Sequence, residues 1–289
     1  MNKLLFIVFT ATVLLLGGCT DKAEQIPAYL DLKPFVVDEP GGAAWHKITD
    51  GWLYVNGEFL GAYTLPATVP VLAEGESEII LFPGVKENGI LATPNIYPFM
   101  KRYETTVTLS PAENTAVNPS TSYDDDAMFP WEGRSDFDGS TAVQFEDRDG
   151  DDDTGYILTE NGAFAGKSLL MAVDTAHWLM EIASEKVDEL PLASERQVWL
   201  ELHYNSDMPF TLYLLGSIGN SSEIAQPVFQ FNTTGGWNKT YINLTEFVSA
   251  SLQENYRLFF RASLPRDNSN KFSQITGKVM LDNIRLVHF

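Results

Sequence analysis

Apolar side chains recur at every second position along short stretches of this chain, the period that a half-buried β-strand imposes. Val198, Leu200, Leu202 and Tyr204 share one parity, while Trp199, Glu201 and His203 hold the other. Tyr103, Thr105, Val107 and Leu109 fall on one face in the same way. Phe210 to Leu215 is apolar on both parities, as a central strand would be. Between Trp52-Leu53-Tyr54-Val55 and Glu58-Phe59-Leu60 lies Asn56-Gly57. Both turn positions of a tight hairpin need φ > 0, and this dipeptide tolerates it. In the last segment Val279 and Leu281 share one parity and Ile284 and Leu286 the other, which predicts a β-bulge at Asp282-Asn283. Only Thr245 to Leu252 reads as a helical turn or two, with Thr245 as N-cap. The expected fold class is all-β.

A chain of 289 residues has room for two such sandwiches, and 44% hydrophobic with 12% aromatic residues is enough to fill their cores. Residues 110–126 carry two prolines, several Ser, Thr and Asn, and an acidic run without apolar periodicity. The expected division is a small sandwich over 28–115, a linker over 116–127 and a larger sandwich over 128–289. The formal net charge is −20, with 19 Lys and Arg against 39 Asp and Glu. That excludes a nucleic-acid binder, which needs a basic footprint, and adhesion by charge to an anionic lipid surface.

The N-terminus carries an address. Lys3 supplies a positive start, Leu4 to Leu16 an apolar run, and residues 1–18 read as an export signal. The run ends Leu16-Gly17-Gly18-Cys19, which is similar to the bacterial lipobox, where the cysteine is lipidated and becomes the new N-terminus. Cys19 is the single cysteine of the chain, so no internal disulfide is possible. Residues 19–27 read as a polar tether. The resemblance implies a lipid-anchored protein, and Thr20, where an aspartate would resemble an inner-membrane retention signal, favours the outer membrane.

Two family resemblances follow. Leu53-Tyr54-Val55-Asn56-Gly57-Glu58-Phe59-Leu60-Gly61-Ala62-Tyr63-Thr64-Leu65-Pro66, followed by Gly75 and Ile79-Ile80-Leu81, resembles the PEGA domain. It departs in Thr64-Leu65-Pro66 and in the tail from Gly89 to Met100. The resemblance implies a small non-catalytic β-sandwich with an adhesive or spacing role; a generic Ig-like hairpin accounts for the same residues. Leu281-Asp282-Asn283-Ile284-Arg285-Leu286 resembles the closing strand of galactose-binding-like jelly rolls, a group that includes many carbohydrate-binding modules. Phe145-Glu146-Asp147, Gly166-Lys167-Ser168-Leu169-Leu170 and Gly236-Trp237-Asn238-Lys239-Thr240-Tyr241-Ile242-Asn243-Leu244 resemble other parts of that family in its order. The combination is similar to envelope lipoproteins of Bacteroidota.

Chemistry is sparse. No Gly-x-Ser-x-Gly elbow is present, and His46, His177, His203 and His288 lack a metal spacing. No catalytic residue is expected, and no cofactor beyond a possible structural Ca²⁺. Counting from Asp149 places Asp151, Asp153 and Glu160 at ligand positions of an EF-hand-like loop, but Thr154 stands where the sharp turn requires Gly. A solvated acidic loop accounts for the same residues. Trp178, Trp237 and Tyr241 are the candidate ligand-binding aromatics. The leading expectation is a non-catalytic interaction or scaffold component of an outer-membrane assembly, such as secretion or gliding machinery. The alternative is a surface glycan-binding lipoprotein. The partners expected are the outer membrane through the anchor, and an envelope protein or a glycan.

Overall fold

The computed structural model describes residues 24–193, 195–219 and 221–289. The expected signal segment 1–18, the lipidation site Cys19 and most of the tether lie outside the described residues. Among the described residues no helix is long and apolar enough to cross a membrane.

The first half contains β1 (Ala28–Leu32), β2 (Val36–Val37), a short helix α1 (Gly42–Trp45), β3 (Asp50–Val55), β4 (Glu58–Thr64), β5 (Ala67–Val71), β6 (Gly75–Lys86), β7 (Pro94–Ile96), β8 (Tyr103–Leu109), β9 (Asn114–Val117) and β10 (Ser120–Thr121). Asn56 and Gly57 turn β3 into β4 with φ of 51° and 80°, as the dipeptide predicts. A three-stranded sheet in the order β5-β1-β9 faces a five-stranded sheet in the order β4-β3-β6-β7, with β8 also on β6; β10 pairs with β2. Leu30, Leu32, Leu53, Ile79 and Leu81 fill the space between them and are excluded from solvent.

The second half contains β11 (Phe145–Asp147), β12 (Ile157–Thr159), β13 (Ser168–Asp174), β14 (Leu179–Ser184), β15 (Val187–Asp188), β16 (Val198–Ser206), β17 (Phe210–Ser217), β18 (Ile224–Phe231), β19 (Asn238–Asn243), α2 (Thr245–Ser251), β20 (Asn255–Ser263) and β21 (Thr276–His288). These strands build an all-β jelly roll. A six-stranded sheet, β11-β14-β20-β17-β18 with β15 on β20, faces a five-stranded sheet, β12-β13-β21-β16-β19. The expected bulge is present: Glu201 pairs with Arg285 but His203 with Asp282, and Asn283 has φ 46°. The helix differs in its start. Leu244 rather than Thr245 is the N-cap, with no side-chain cap; Thr245 Oγ1 accepts instead from the backbone N–H of Val198 at 3.1 Å, and Asn243 Oδ1 accepts from the N–H of Thr245 at 3.0 Å.

The expected linker is not an exposed connector. β9 runs parallel to β1 and β10 parallel to β2. From Val117 to Tyr123 every second residue is buried: Val117, Pro119, Thr121 and Tyr123. The period of two was hidden because its inward positions are filled by Pro and Thr beside Val and Tyr. The polar positions between them face outward, as on an edge strand.

The two halves share a buried layer. Val198, Leu200 and Leu202 point into the jelly-roll core, while Trp199 on the opposite face of β16 joins the core of the first half with Tyr241 and Val287. Tyr97 packs against Trp199 at 5.6 Å and Tyr241 at 4.8 Å between ring centroids. At the edge, Asn88 N–H donates to the Tyr241 carbonyl at 2.8 Å and Asn243 Nδ2 to Glu87 Oε1 at 3.0 Å. Limited proteolysis should therefore leave 110–126 intact, because pairing and burial withhold its backbone from a protease. Early cleavage there, giving two stable halves, would contradict this packing.

Candidate functional site

The residues singled out in the sequence do not converge. Tyr241 is buried between the halves, where its hydroxyl accepts from the Lys47 N–H at 3.2 Å, so its ring cannot serve as an open platform. Trp237 is half-buried, donating from Nε1 to the Gly162 carbonyl at 3.0 Å and packing edge-on against Phe164. Trp178 is 41% exposed at the start of β14, with the Arg266 guanidinium 5.3 Å from its ring centre.

The acidic loop is folded by its own carboxylates. Asp149 Oδ1 accepts from the Asp151 N–H at 2.7 Å, and Asp149 Oδ2 from the Thr154 hydroxyl at 3.1 Å. Asp151 Oδ1 accepts from the Asp153 N–H, while Oδ2 pairs with His177 Nδ1 at 2.7 Å. That hydrogen bond holds the Asp151 carboxyl below its usual range and His177 above its own. Glu160 is exposed beyond β12. Among the described residues no group of three or more His, Cys, Asp or Glu is arranged to hold a metal ion.

A different cluster lies buried between the halves. Glu201 has no solvent exposure. Its Oε2 accepts from Lys239 Nζ at 2.7 Å, and its Oε1 accepts from the hydroxyls of Tyr97 and, at 2.6 Å, Tyr123. Arg285 Nη1 donates in turn to the Tyr123 hydroxyl at 2.9 Å. Burial opposes the Glu201 charge, but Lys239, Arg285 and His46 outweigh it and hold the carboxyl at about 2. Burial pushes His46 down to about 4 and His203 to about 3, and the Nε2 atom of each is buried without a partner. Glu201, Lys239, Tyr97, His46 and His203 are enclosed and serve the packing of the halves, while Arg285 is half-buried at the edge of the cluster.

On the outward face of the six-stranded sheet Arg261 is exposed and Tyr213 and Thr211 are half-buried, while Ala183, Phe259 and Glu181 are buried. Inward positions such as Ile182, Phe260 and Leu212 belong to the core. The outward positions align in rows across the strands: Ala183, Phe259, Tyr213 and Pro227 in one, Glu181, Arg261, Thr211 and Gln230 in the next. Tyr213 lies edge-on to Phe259 at 5.6 Å, and the Arg261 guanidinium stands 5.2 Å from the Tyr213 ring centre. Arg261 donates to Glu181 and to the Tyr213 hydroxyl at 3.3 Å. At the β11 side Arg148 and Arg257 each contact both Glu146 and Glu223 within 3.1 Å. Every arginine on this face thus has a carboxylate partner, and the surface is polar but balanced, with an aromatic ring at its centre. Sequence reasoning missed it. The available signal was the parity of Arg257, Phe259 and Arg261 against Leu258, Phe260 and Ala262.

No family model matches the sequence, and no curated protein matches it. Solved structures are similar to it at low identity. TmCBM61 in complex with β-1,4-galactotriose is 11% identical, with 54% of this chain and 97% of that chain covered and a TM-score of 0.34. The CBM22-2 xylan-binding domain of Paenibacillus barcinonensis Xyn10C is 10% identical over 54% of this chain and 98% of that chain, with a TM-score of 0.38. The enzymatically active domain of bacteriophage CBA120 tailspike protein 4 is 9% identical over 61% of this chain and 26% of that chain, with a TM-score of 0.38.

The buried groups set a pH dependence whose sign is fixed by their shifts. For His46 and His203 the unfolded chain takes up a proton near the usual 6.5, before the folded one does, so stability falls from about pH 6.5 towards 4 and 3. Glu201 contributes stability above the usual 4.5 that is lost as pH falls to about 2. Asp282, raised by burial to about 7 from 3.8, acts oppositely, gaining stability as pH falls through that window. Urea midpoints across pH should decline less steeply in His203→Gln and more steeply in Asp282→Asn. Equal slopes in all three proteins would refute the assignment.

Proposed function

We propose that this protein binds an uncharged glycan on the outward face of its six-stranded sheet, as a lipid-anchored component of a bacterial outer membrane. The observation that carries the reading is the row chemistry of that face. An apolar ring face suits the C–H face of a sugar, and hydroxyl, amide and guanidinium groups around it suit the hydroxyls. Tyr213 supplies the ring, with Thr211, Gln230, Arg261 and Glu181 in the adjoining row. Because the arginines are already paired with Glu146, Glu181 and Glu223, an anionic ligand would have to displace a carboxylate. Uncharged hydroxyls can join the existing hydrogen bonds without breaking them. No catalytic step is assigned to the face.

A scaffold role rests on a separate observation. The outward face of the five-stranded sheet in the first half presents Trp52 beside Phe82 and Tyr54 beside Phe59, on adjoining strands. Phe59 is 49% exposed, and Tyr54 packs edge-on to Phe82 at 5.6 Å. Such a cluster is the kind of surface that protein partners cover.

In affinity electrophoresis against plant and bacterial polysaccharides, wild-type protein should be retarded by at least one neutral polymer. Tyr213→Ala should weaken binding about tenfold, the scale of one lost aromatic contact with its hydrogen bond, and Phe59→Ser should leave it unchanged. Retention abolished by Phe59→Ser but not by Tyr213→Ala would transfer binding to the first half. For the anchor, Cys19→Ser should release the protein from the membrane fraction, whereas continued association through a salt wash would show that lipid does not hold it.

A further inference from the structure

A cleft of about 340 Å³ opens where the two halves meet, within the range of small-molecule sites. Trp45 of the first half and Phe129 of the second form part of its walls, and Arg285 and Tyr123 line it, with Glu39, Glu132 and Asp136 supplying carboxylates. We propose that this cleft is a second carbohydrate site, taking a single uncharged sugar residue. The proposal rests on the glycan-binding reading but on none of the residues of the sheet face.

The walls are built rather than incidental. Gly41 has φ 79°, and a Cβ there would fall 2.0–2.5 Å from the Trp45 ring, so the indole is seated over a residue that must be glycine. Trp45 also meets Phe164 of the second half at 6.1 Å. Tyr123 is tethered at both ends: its N–H donates to Glu39 Oε1 at 2.9 Å and its hydroxyl to Glu201. Arg285 is the single cation of the lining. It lies over the rings of Tyr123 and Phe129 at 5.4 and 5.5 Å and gives one N–H to the Tyr123 hydroxyl. Among the described residues its one side-chain hydrogen bond is the Nη1 donation to Tyr123, which leaves its other N–H groups for the cleft.

Charge excludes one ligand class. A carboxylate or phosphate would meet three carboxylates in the lining against the single guanidinium of Arg285. A sugar hydroxyl both donates and accepts, so it serves the carboxylates and the guanidinium together, while its C–H face lies on an aromatic wall. The enclosure distinguishes this site from the sheet face. An open face engages a run of residues along a polymer; a cleft of this volume holds one.

Calorimetric titration of the full chain tests the proposal. The probes are D-galactose, D-glucose, D-xylose and their β-1,4-linked tetrasaccharides, with D-glucuronic acid as the charged control. At least one neutral monosaccharide should bind, and glucuronic acid should not. Trp45→Ala should weaken monosaccharide binding about tenfold, and Tyr213→Ala should leave it unchanged. Glu132→Gln, an exposed substitution that cannot disturb the fold through packing, should also weaken it. Tetrasaccharide binding lost in Tyr213→Ala, with monosaccharide binding absent from wild type, would overturn the cleft and leave the sheet-face reading standing. Monosaccharide binding that survives both Trp45→Ala and Glu132→Gln would overturn the cleft as well. Loss through Trp45 and Glu132 without any effect of Tyr213→Ala on either probe would support the cleft and remove the sheet face.

Discussion

Glu201 carries a charge at a position with no solvent exposure, and the arrangement of both halves follows from how that charge is satisfied. A buried carboxylate is tolerated when cations and hydrogen-bond donors surround it. Lys239 comes from the neighbouring strand of the same sheet, but the two hydroxyls that complete the shell, Tyr97 and Tyr123, come from outside the jelly roll. Tyr97 follows β7 and Tyr123 follows β10, so the carboxylate cannot be satisfied unless the first half is docked. Trp199, Tyr241 and Val287 then exclude water around it. The polar groups fix where the halves meet, and the rings supply the apolar burial.

That docking determines which surfaces remain for function. The part of the β12-β13-β21-β16-β19 sheet that carries Trp199, Tyr241 and Val287 is covered by the first half, so an aromatic there, such as Tyr241, is unavailable to a ligand. On the outward face of the opposite sheet Arg261, Gln230 and Pro227 are exposed and Tyr213 is half-buried, packed on the buried Ala183 and Phe259. The same docking creates the cleft at the seam, because Trp45 and Glu39 lie on one side of it and Phe129 and Arg285 on the other. A single buried interaction thus removes one candidate surface and makes another.

Much of the fold was legible in the chain. The Asn56-Gly57 hairpin, the parity of β16 and the bulge at Asp282-Asn283 all express a period of two, which local sequence carries directly. The strands β9 and β10 were not legible, because Pro119 and Thr121 occupy inward positions where an apolar residue would have marked the period. Trp199, Glu201 and His203 read as the solvent side of a strand, since one polar and two amphipathic residues do not reveal that a second sandwich will cover them. The candidate face was hidden for a related reason. Arg257, Phe259 and Arg261 alternate correctly, but only the pairing of β20 with β17 brings Tyr213 and Thr211 beside them. Such cross-strand neighbours depend on topology rather than on spacing.

Through its shared shell of donors, Glu201 joins the two sandwiches into one cooperative structure. The most direct measurement is chemical and thermal unfolding of Glu201→Ala, Lys239→Met and the double variant, followed by fluorescence and calorimetry together. Wild type should unfold in a single transition. Glu201→Ala should lose about 3–5 kcal/mol, because it strands the Lys239 charge in the interior. The double variant should recover most of that loss, since no unpaired charge remains. Two well-separated transitions in the wild type, with the Glu201→Ala loss below about 1 kcal/mol, would contradict it.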